Sequence, residues 1–341
     1  MSEEPITSPE HLDGVAYLYG HPLLNSLSPP LHQTVFDHLG LNWRQIPLSS
    51  VTGESATYPP PYTKSPPVET FLASIRANPK FKGASVTMPW KVAIMPHLDE
   101  LTEDVRQAGA CNTIYLKEGE EEGGKKLLVG TNTDCSGIRE SLLHHNAVTQ
   151  GRPALIVGGG GTARTAAYVL RKWLGASKIY IVNRDEAEVA TILAEDAQRD
   201  PALTARAPLI HVKTPEEAAA LDPPTAIVSG IPNYPPKSPE EITARETVTT
   251  FLRTNQAGSS TTTAEKRVIL EMCYHPKPWT EIGQLAADAG WEVILGWEAL
   301  LWQGLDQSRL WTGKDIVEIP GLVDKVKEMI KETIAERTKN L

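Results

Sequence analysis

The chain is poor in cysteine, in basic residues and in long hydrophobic stretches, and each shortage excludes a class of protein. Its 341 residues include only 3 cysteines, and an odd number cannot form a fully paired disulfide framework. Lys and Arg total 33 against 42 Asp and Glu, and the net charge of −9 argues against a general binder of nucleic acid or acidic membranes. No run approaches the roughly 18 apolar residues of a transmembrane helix.

What remains is the composition of an ordinary globular chain, 40% hydrophobic and 22% charged. Its length suggests two domains, or one large domain with an ample core. The start, MSEEPITSPEHLDG, is acidic and polar and lacks the basic-then-apolar pattern of a signal peptide. We therefore expect a cytoplasmic α/β protein, a monomer or homodimer, with a small-molecule substrate and neither nucleic-acid nor membrane partners.

Strand and helix patterns alternate along the chain, which is typical of a sheet covered by helices. Residues 15–20 predict a buried strand, and the next helix has Ser28 as its N-cap and ends at Gly40. Residues 43–51 predict a second strand, and residues 100–105 a helix. The segments TYPPPYTKSPP and KEGEEEGGKK are interpreted as a proline-rich surface loop and as a polar hairpin or loop.

A glycine turn lies between a strong strand and a strong helix near the middle of the chain. The segment ALIVGGGGTARTAAYVL places Gly158, Gly160 and Ala163 in the pattern G-x-G-x-x-A. The first glycine permits a tight turn, the second lets backbone N–H groups approach a pyrophosphate, and the small third residue allows close packing. The pattern favours dinucleotide binding, although a glycine-rich loop can also be a purely structural turn.

The residues after the next strand bear on the choice between NAD and NADP. An acidic residue there accepts hydrogen bonds from the ribose 2′-hydroxyl, whereas Arg pairs with a 2′-phosphate. The chain offers both types in Asn183, Arg184, Asp185, Glu186 and Glu188. Because three of these five residues are acidic, the sequence favours NAD over NADP.

Three pairs of polar residues lie where strands end in the first half of the chain. They are Ser26 with Ser28, Thr87 with Lys91, and Asn112 with Asp134. Taken singly, the serines fit turn chemistry, the lysine a solvated helix and the aspartate a helix cap. Together they suit a polyol that carries a carboxylate, because hydroxyls can hold the acid group and a lysine beside an aspartate can move a proton.

Several motifs in a fixed order identify a resemblance that covers residues 17–313. They are NSLSPPLH, GASVTMPWK, GACNT, GTNTDCSG, the glycine turn followed by VNR, EMCYHP and GWEALLWQG. With these motifs the sequence resembles the shikimate/quinate dehydrogenase family, and is most similar to its stand-alone fungal quinate-dehydrogenase-like branch. The resemblance implies reversible NAD(P)-dependent oxidation of the C3 hydroxyl of quinate, shikimate or both, to 3-dehydroquinate and 3-dehydroshikimate.

The resemblance also implies a role for individual residues. Lys91 and Asp134 match the catalytic pair. The substrate-binding positions are Ser26 and Ser28 for the carboxylate, Thr87, Asn112 and Gln303 for the hydroxyls, and Tyr274 beside the ring. The cofactor-binding positions are Gly158, Gly160, Gly161, Thr162, Ala163, Asn183, Arg184, Asp185 and Gly296.

The implied architecture is an N-terminal α/β substrate domain, residues 1–140, and a Rossmann-type doubly wound dinucleotide domain, residues 141–297. The C-terminal helices, residues 298–341, return to the first domain. The chain departs from the family pattern at Ser85, where Asn is usual, at Ala299, where Met is usual, and at Glu271, where Asp is frequent.

The motifs leave two other functions open. A family member acting on a different cyclic polyol carboxylate shares these motifs, and so does a non-catalytic metabolite sensor on the same fold. Cys111, Cys135 and Cys273 each adjoin a proposed site residue. Because no C-x-x-C or Cys/His ligand spacing occurs, we expect no metal.

Overall fold

A computed structural model describes residues 6, 8–21, 23, 26–48, 65–119, 126–254, 266–274 and 277–339. The chain divides into two compact units, the first formed by residues 1–133 with 300–341 and the second by residues 134–299. The sequence boundaries, by comparison, lie after residues 140 and 297. The predicted proline-rich loop falls mostly outside the described residues.

Twelve strands are found in the described part of the chain, six in each unit. They are β1 (Gly14–Tyr19), β2 (Trp43–Pro47), β3 (Phe81–Val86), β4 (Glu100–Leu101), β5 (Thr113–Lys117), β6 (Leu127–Thr131), β7 (Pro153–Val157), β8 (Lys178–Val182), β9 (Leu209–His211), β10 (Ala226–Ser229), β11 (Val268–Glu271) and β12 (Glu292–Leu295). The first sheet has the order β2-β1-β3-β5-β6-β4 and the second β12-β11-β10-β7-β8-β9.

Thirteen α-helices are found among the same residues. They are α1 (Ser28–His38), α2 (Val68–Ala77), α3 (Trp90–Ala93), α4 (Glu103–Ala108), α5 (Asp134–His144), α6 (Gly161–Tyr168), α7 (Glu186–Arg199), α8 (Pro201–Arg206), α9 (Pro215–Ala219), α10 (Pro239–Arg253), α11 (Glu281–Asp288), α12 (Gly296–Thr312) and α13 (Leu322–Lys339). Helix α12 begins in the second unit and continues into the first. The predicted return of the C-terminal helices to the first unit is confirmed.

The first sheet is mixed. Strands β1, β2 and β3 are parallel, whereas β3, β5 and β6 pair antiparallel. The segment predicted as a polar hairpin or loop falls mostly outside the described residues. At the centre of the sheet, Gly83 leaves room for the indole of Trp311, whose Nε1–H donates to the Ile114 carbonyl at 3.1 Å. A side chain at position 83 would collide with that ring. The C-terminal helix α12 therefore packs against the middle of this sheet.

The second sheet is parallel throughout and has the strand order of a dinucleotide-binding fold. Counted from β7, its strands follow the order 3-2-1-4-5-6, with the reversal between β7 and β10. Every residue of β7, β10 and β11 is buried, as expected for a parallel sheet with helices on both faces. Ligands bind such sheets beyond the carboxyl ends of the strands at the reversal. The α/β prediction with a Rossmann-type unit is confirmed.

Two local predictions are wrong. Glu100 and Leu101 form a short strand parallel to β6, and the helix begins only at Glu103, because Thr102 already has extended backbone. Ser28 is the first residue of α1 and Leu27 precedes it as N-cap without a side-chain hydrogen bond. The Ser28 hydroxyl is used elsewhere, and that use defines the candidate site.

Candidate active site

The hydroxyl of Ser28 points away from its own helix and into the core of the first unit. Ser28 is 4% exposed, and its Oγ donates to Oε1 of Gln45 on β2 at 2.8 Å. Its backbone N–H donates to Oγ of Ser26 at 3.2 Å. The two predicted carboxylate-binding serines are therefore neighbours at the amino end of α1, where backbone N–H groups favour an anion.

A chain of side-chain hydrogen bonds continues from Gln45 across the sheet. Gln45 Nε2 donates to Oγ of Ser85 on β3 at 2.9 Å, and Ser85 Oγ donates to Oε1 of Gln307 on α12 at 2.7 Å. Gln307 Nε2 then donates to Oγ1 of Thr113 on β5 at 2.8 Å. All four of these side chains are buried, so each bond forms away from solvent.

The chain of hydrogen bonds ends at two predicted substrate residues, Asn112 and Gln303. Thr113 Oγ1 donates to Oδ1 of Asn112 at 2.6 Å, and the Thr133 backbone N–H donates to the same oxygen at 2.7 Å. Asn112 Nδ2 donates to Oγ1 of Thr133 at 3.0 Å and lies 3.4 Å from Oε1 of Gln303. The first unit therefore joins the residues predicted for the carboxylate to those predicted for the hydroxyls.

His32 contacts this network of hydrogen bonds at Gln307. Its Nε2 lies 3.1 Å from Oε1 of Gln307 and its Nδ1 lies 2.8 Å from Oγ of Ser308. Burial lowers the pKa of His32 to about 3, outweighing the hydrogen bond to Gln307 that raises it. The ring is therefore neutral, with the proton on Nε2 facing the Gln307 oxygen and Nδ1 accepting from Ser308.

Thr87 and Lys91 are brought to the same region by the turn that follows β3. The Val86 N–H donates to the Asn112 carbonyl at 2.6 Å, and the Thr87 N–H donates to the Tyr19 carbonyl at 2.9 Å. The Cys111 N–H donates to the Lys91 carbonyl at 2.8 Å, which ties the first turn of α3 to the residue before Asn112. These backbone hydrogen bonds thus place Thr87 and Lys91 close to Asn112.

Besides the glycine turn and residues 183–185, three further predicted site residues belong to the second unit. Asp134 is the first residue of α5, Tyr274 follows β11, and Gly296 is the first residue of α12. A Cβ on Gly296 would collide with the carbonyls of Glu271 and Met272, so this position requires glycine for close backbone packing.

Glu271 holds the segment that precedes Tyr274. Its Oε2 accepts from Ser229 Oγ at 3.0 Å and from Thr280 Oγ1 at 3.1 Å, and its Oε1 accepts from the Cys273 N–H at 3.1 Å. Burial raises the pKa of this carboxyl to about 7, although these donors and the charge of Arg245 act in the opposite direction. A single buried acid thus connects three loops at the carboxyl end of the second sheet.

The glycine turn has the predicted geometry. Gly158 has φ +122°, which side chains rarely adopt, and its N–H donates to the Val182 carbonyl at 2.9 Å. Gly160 is the N-cap of α6, and Gly161 is its first residue. Thr162 contacts Gly230 at the end of β10, and Ala163 is buried. The amino end of α6 therefore lies at the reversal of strand order.

A cavity of about 370 Å³ opens beside this turn. Asn183, Arg184, Glu188 and Glu241 supply polar groups to its wall. Asn183 Nδ2 donates to Oε2 of Glu188 at 2.7 Å, and the Arg184 guanidinium is paired with the Glu241 carboxylate. The Lys237 and Ser238 N–H groups and Arg184 hold the pKa of Glu241 at about 2. The wall therefore carries the carboxylates of Glu188 and Glu241 and the guanidinium groups of Arg184 and Arg245, each of which is paired with a carboxylate.

Asp185 caps the helix that follows β8. Its Oδ1 accepts the N–H groups of Ala187 and Glu188 at 2.9 and 3.0 Å, which makes it the N-cap of α7. Asp185 is not one of the residues that line the cavity. Glu188 is therefore the acidic residue of this segment that faces the glycine turn.

The residues around the turn fit a dinucleotide. A Cβ added to Gly160 would meet no atom within 4 Å, although the residue belongs to a turn packed between buried elements. The open space lies at the amino end of α6, where N–H groups and the helix dipole favour a pyrophosphate. The cavity beside it is lined by carboxylate and amide groups of the kind that can accept hydrogen bonds from a ribose.

Sequence reasoning missed three residues of these sites, Gln45, His32 and Gln307, and named Glu188 only as part of an acidic segment. Gln307 lies four residues after Gln303 on α12, a spacing that places both amides on one helix face, and that spacing was a usable signal. Gln45 and His32 carry no such signal, because only the tertiary structure brings them to Ser28 and Gln307.

Comparison with known proteins agrees with this geometry. Residues 18–114 match the model of the shikimate dehydrogenase substrate-binding domain. The chain is 64% identical to a quinate dehydrogenase of Emericella nidulans over 99% of both chains. The chain belongs to the quinate and shikimate dehydrogenase family.

Solved structures of this dehydrogenase family share the fold. A dehydroquinate dehydratase and shikimate dehydrogenase chain of S. pombe superposes with a TM-score of 0.65 at 28% identity over 92% of this chain and 53% of that chain. The present chain thus spans about half the length of that relative. A quinate dehydrogenase from Corynebacterium glutamicum in complex with NAD gives a TM-score of 0.70 at 21% identity, over 94% and 99% of the two chains. This second likeness shows the fold.

Membership makes the chain an oxidoreductase that acts on a CH–OH group, and the family binds NAD or NADP. Among the helices described here, none is both long and apolar enough to cross a membrane. Over the same residues, no group of three His, Cys, Asp or Glu side chains is arranged to hold a metal ion.

Proposed function

We propose that this dehydrogenase oxidises the C3 hydroxyl of quinate with NAD, reversibly, and that shikimate is a second substrate. The observation that carries the proposal is the 64% identity to a quinate dehydrogenase along the whole chain. The products are 3-dehydroquinate and 3-dehydroshikimate. We assign substrate binding to the first unit and dinucleotide binding to the second, with the domain bounds 1–140, 141–297 and 298–341 of the sequence analysis.

We assign binding of the substrate carboxylate to Ser26 and Ser28. Binding of the substrate hydroxyls is assigned to Thr87, Asn112 and Gln303, and Tyr274 is assigned a place beside the substrate ring. The buried hydrogen bonds from Ser28 to Asn112 support the assignment, because they hold the two groups of residues in one frame. Preorganised polar groups of this kind bind with little ordering cost.

We propose that Lys91, with Asp134 as its partner, removes the proton of the reacting hydroxyl. As hydride leaves C3, the hydroxyl becomes a carbonyl and must lose its proton, and a positioned amine beside a carboxylate can take it. The backbone bond from Cys111 to Lys91 supports a fixed placement of the lysine next to Asn112. A fixed placement brings the acid–base group within reach of a hydroxyl held by the amide.

The dinucleotide would be held by the remaining predicted residues: Gly158, Gly160, Gly161, Thr162, Ala163, Asn183, Arg184, Asp185 and Gly296. When bound, it supplies the nicotinamide carbon that accepts the hydride. The open space at Gly160 and the cavity beside it support this assignment.

NAD preference rests on the charges of the cavity wall. Glu188 and Glu241 would repel the 2′-phosphate of NADP. Arg184 and Arg245, which could attract it, are already paired with Glu241 and Glu281. We therefore propose that Glu188 hydrogen-bonds the adenosine ribose. Asp185 caps the helix on which Glu188 lies.

Exchange of one carboxylate tests this assignment. Glu188→Gln should raise kcat/KM with NADP about tenfold, since one like charge beside the phosphate is removed. Glu186→Gln is the matched control, because Glu186 lies on the same helix and pairs with exposed Lys213 instead of lining the cavity. An equal gain in both variants would point to general surface charge and contradict the assignment.

Initial rates of nicotinamide reduction with quinate and shikimate against NAD and NADP test the proposed function. The fastest rate with quinate and NAD is the expected result. Dominant activity with shikimate and NADP would overturn both preferences. If cofactor binds and no pair turns over, a panel of cyclic polyol carboxylates separates the two alternatives. Oxidation of another compound in the panel identifies a different substrate, and no oxidation indicates a metabolite sensor.

A further inference from the structure

The donor and acceptor of every hydrogen bond in the buried series from Ser28 to Asn112 can be traced from one backbone group. The Thr133 N–H can only donate, so the atom of the Asn112 amide that it meets at 2.7 Å is oxygen. Thr113 donates to the same oxygen, so its Oγ1 must accept from Gln307 Nε2. The Gln307 nitrogen also faces the Asn112 carbonyl at 3.4 Å, an acceptor that gives the same orientation.

The direction continues to the amino end of α1. With its nitrogen turned to Thr113, Gln307 presents Oε1 to two donors, the Ser85 hydroxyl and the His32 Nε2–H. Ser85 has one proton and gives it to Gln307, so it accepts from Gln45 Nε2. Gln45 then presents Oε1 to Ser28, which must donate its only hydroxyl proton to it.

This arrangement conflicts with binding of a carboxylate at Ser28. A carboxylate only accepts hydrogen bonds, and Ser28 has already given its proton to Gln45. If the hydroxyl simply turned toward the substrate, the Gln45 oxygen would remain buried without a donor, which is costly. Gln45 is 2% exposed, so solvent does not replace the lost bond.

We propose that Gln45 is the positioning residue that makes Ser28 a donor to the substrate carboxylate, by rotating its side-chain amide half a turn. The inference rests on the proposed function, since it takes an anionic substrate at Ser28. After rotation, Gln45 Nε2 donates to Ser28 Oγ, and the Ser28 proton is directed to the carboxylate. Gln45 Oε1 then accepts from Ser85, whose hydroxyl rotates from Gln307 toward Gln45.

His32 completes the exchange. When Ser85 turns to Gln45, the oxygen of Gln307 keeps the donor at His32 Nε2, 3.1 Å away. No buried group loses its last partner in either arrangement. The two states differ by one amide rotation, two hydroxyl rotations and a small separation of the Ser85 and Gln307 oxygens, which lie 2.7 Å apart and lose the proton between them. A neutral histidine with a fixed tautomer suits this role, and burial keeps the ring neutral by lowering its pKa to about 3.

The test separates a missing donor from a packing defect. Gln45→Met keeps the length of the side chain and removes both the oxygen that accepts the Ser28 proton and the nitrogen that would fix the Ser28 hydroxyl toward the substrate. Because the freed hydroxyl is no longer held in the donating orientation, the KM for quinate should rise about tenfold, with kcat within about twofold. Binding of the ring analogue with a hydroxymethyl group in place of the carboxylate should change less than about twofold. A residue that only supports packing would weaken both ligands alike.

Two further variants complete the set. Gln45→Glu can only accept from Ser28 and Ser85, so the KM for quinate should rise more than about a hundredfold. Gln33→Met is the matched control on α1, since the Gln33 amide donates to exposed Asp37, and its KM should equal that of the unchanged chain.

A direct measurement covers the case in which Gln45→Met fails to fold. In the ¹⁵N-labelled unchanged chain, the side-chain amide signal of Gln45 should shift on titration with quinate and stay fixed with the hydroxymethyl analogue. An unmoved signal, or a folded Gln45→Met with unchanged KM, overturns the inference. If the unchanged chain oxidises neither quinate nor shikimate, the proposed function fails instead.

Discussion

Replacement of Glu271 by Gln tests how this buried acid affects stability. The carboxyl is 1% exposed and is contacted by Ser229, Thr280 and the Cys273 N–H. Burial raises its pKa from 4.5 to about 7, so the folded chain binds this proton more tightly than the unfolded chain does. Stability contributed by the protonated acid is therefore complete below pH 4.5 and is lost as the pH rises to about 7.

The magnitude follows from the two pKa values. A rise from 4.5 to about 7 corresponds to ~3 kcal/mol of stability lost across that range. Glutamine does not titrate, so Glu271→Gln lacks this loss. Its amide nitrogen faces the Cys273 N–H when its oxygen accepts from Ser229 and Thr280, which costs ~1–2 kcal/mol at every pH.

The assay is urea unfolding of both chains at pH 5, 6, 7 and 8. The free energy of unfolding of Glu271→Gln minus that of the unchanged chain should grow by ~2.5 kcal/mol from pH 5 to pH 8, since a smaller part of the loss occurs below pH 5. Other groups titrate equally in both chains and cancel in the difference. A difference that stays constant with pH, or falls, would refute the assigned burial effect.

Three other variants probe separate parts of the molecule. Lys91→Ala should lower kcat by about a thousandfold with unchanged affinity for the cofactor, and unaltered turnover would remove Lys91 from the mechanism. Gly160→Ala should leave the melting temperature unchanged and weaken cofactor binding at least about tenfold in a fluorescence titration, because its Cβ enters open space beside the turn; unchanged binding would place the pyrophosphate elsewhere. Gly83→Ala should destabilise the chain by ~2–4 kcal/mol in urea, since its Cβ displaces the Trp311 indole and its bond to Ile114; normal stability would mean that the indole moves freely.

Local sequence patterns predict most of the fold because their causes are local. Alternating apolar strands and helices, Pro29 at the start of α1 and the left-handed Gly40 after its end are set by periodicity and backbone sterics. The glycine turn belongs to the same group, since Gly158 adopts φ +122° between a strand and a helix that both follow from their own residues. The helix predicted at residues 100–105 fails because pairing of Glu100 with Val129 is a contact between distant segments.

The sequence by itself determined the residue types of the site, whereas the tertiary structure decided their hydrogen-bond partners. Ser28, Asn112 and Gln303 are recognisable from motifs, yet Gln45, Ser85 and Gln307 connect them only after three strands and α12 pack together. The tertiary structure also decided which acidic residue faces the glycine turn. Asp185 accepts hydrogen bonds from the first turn of α7, whereas Glu188 lines the cavity. A buried polar side chain must find a partner, and only the folded chain specifies which one lies within reach.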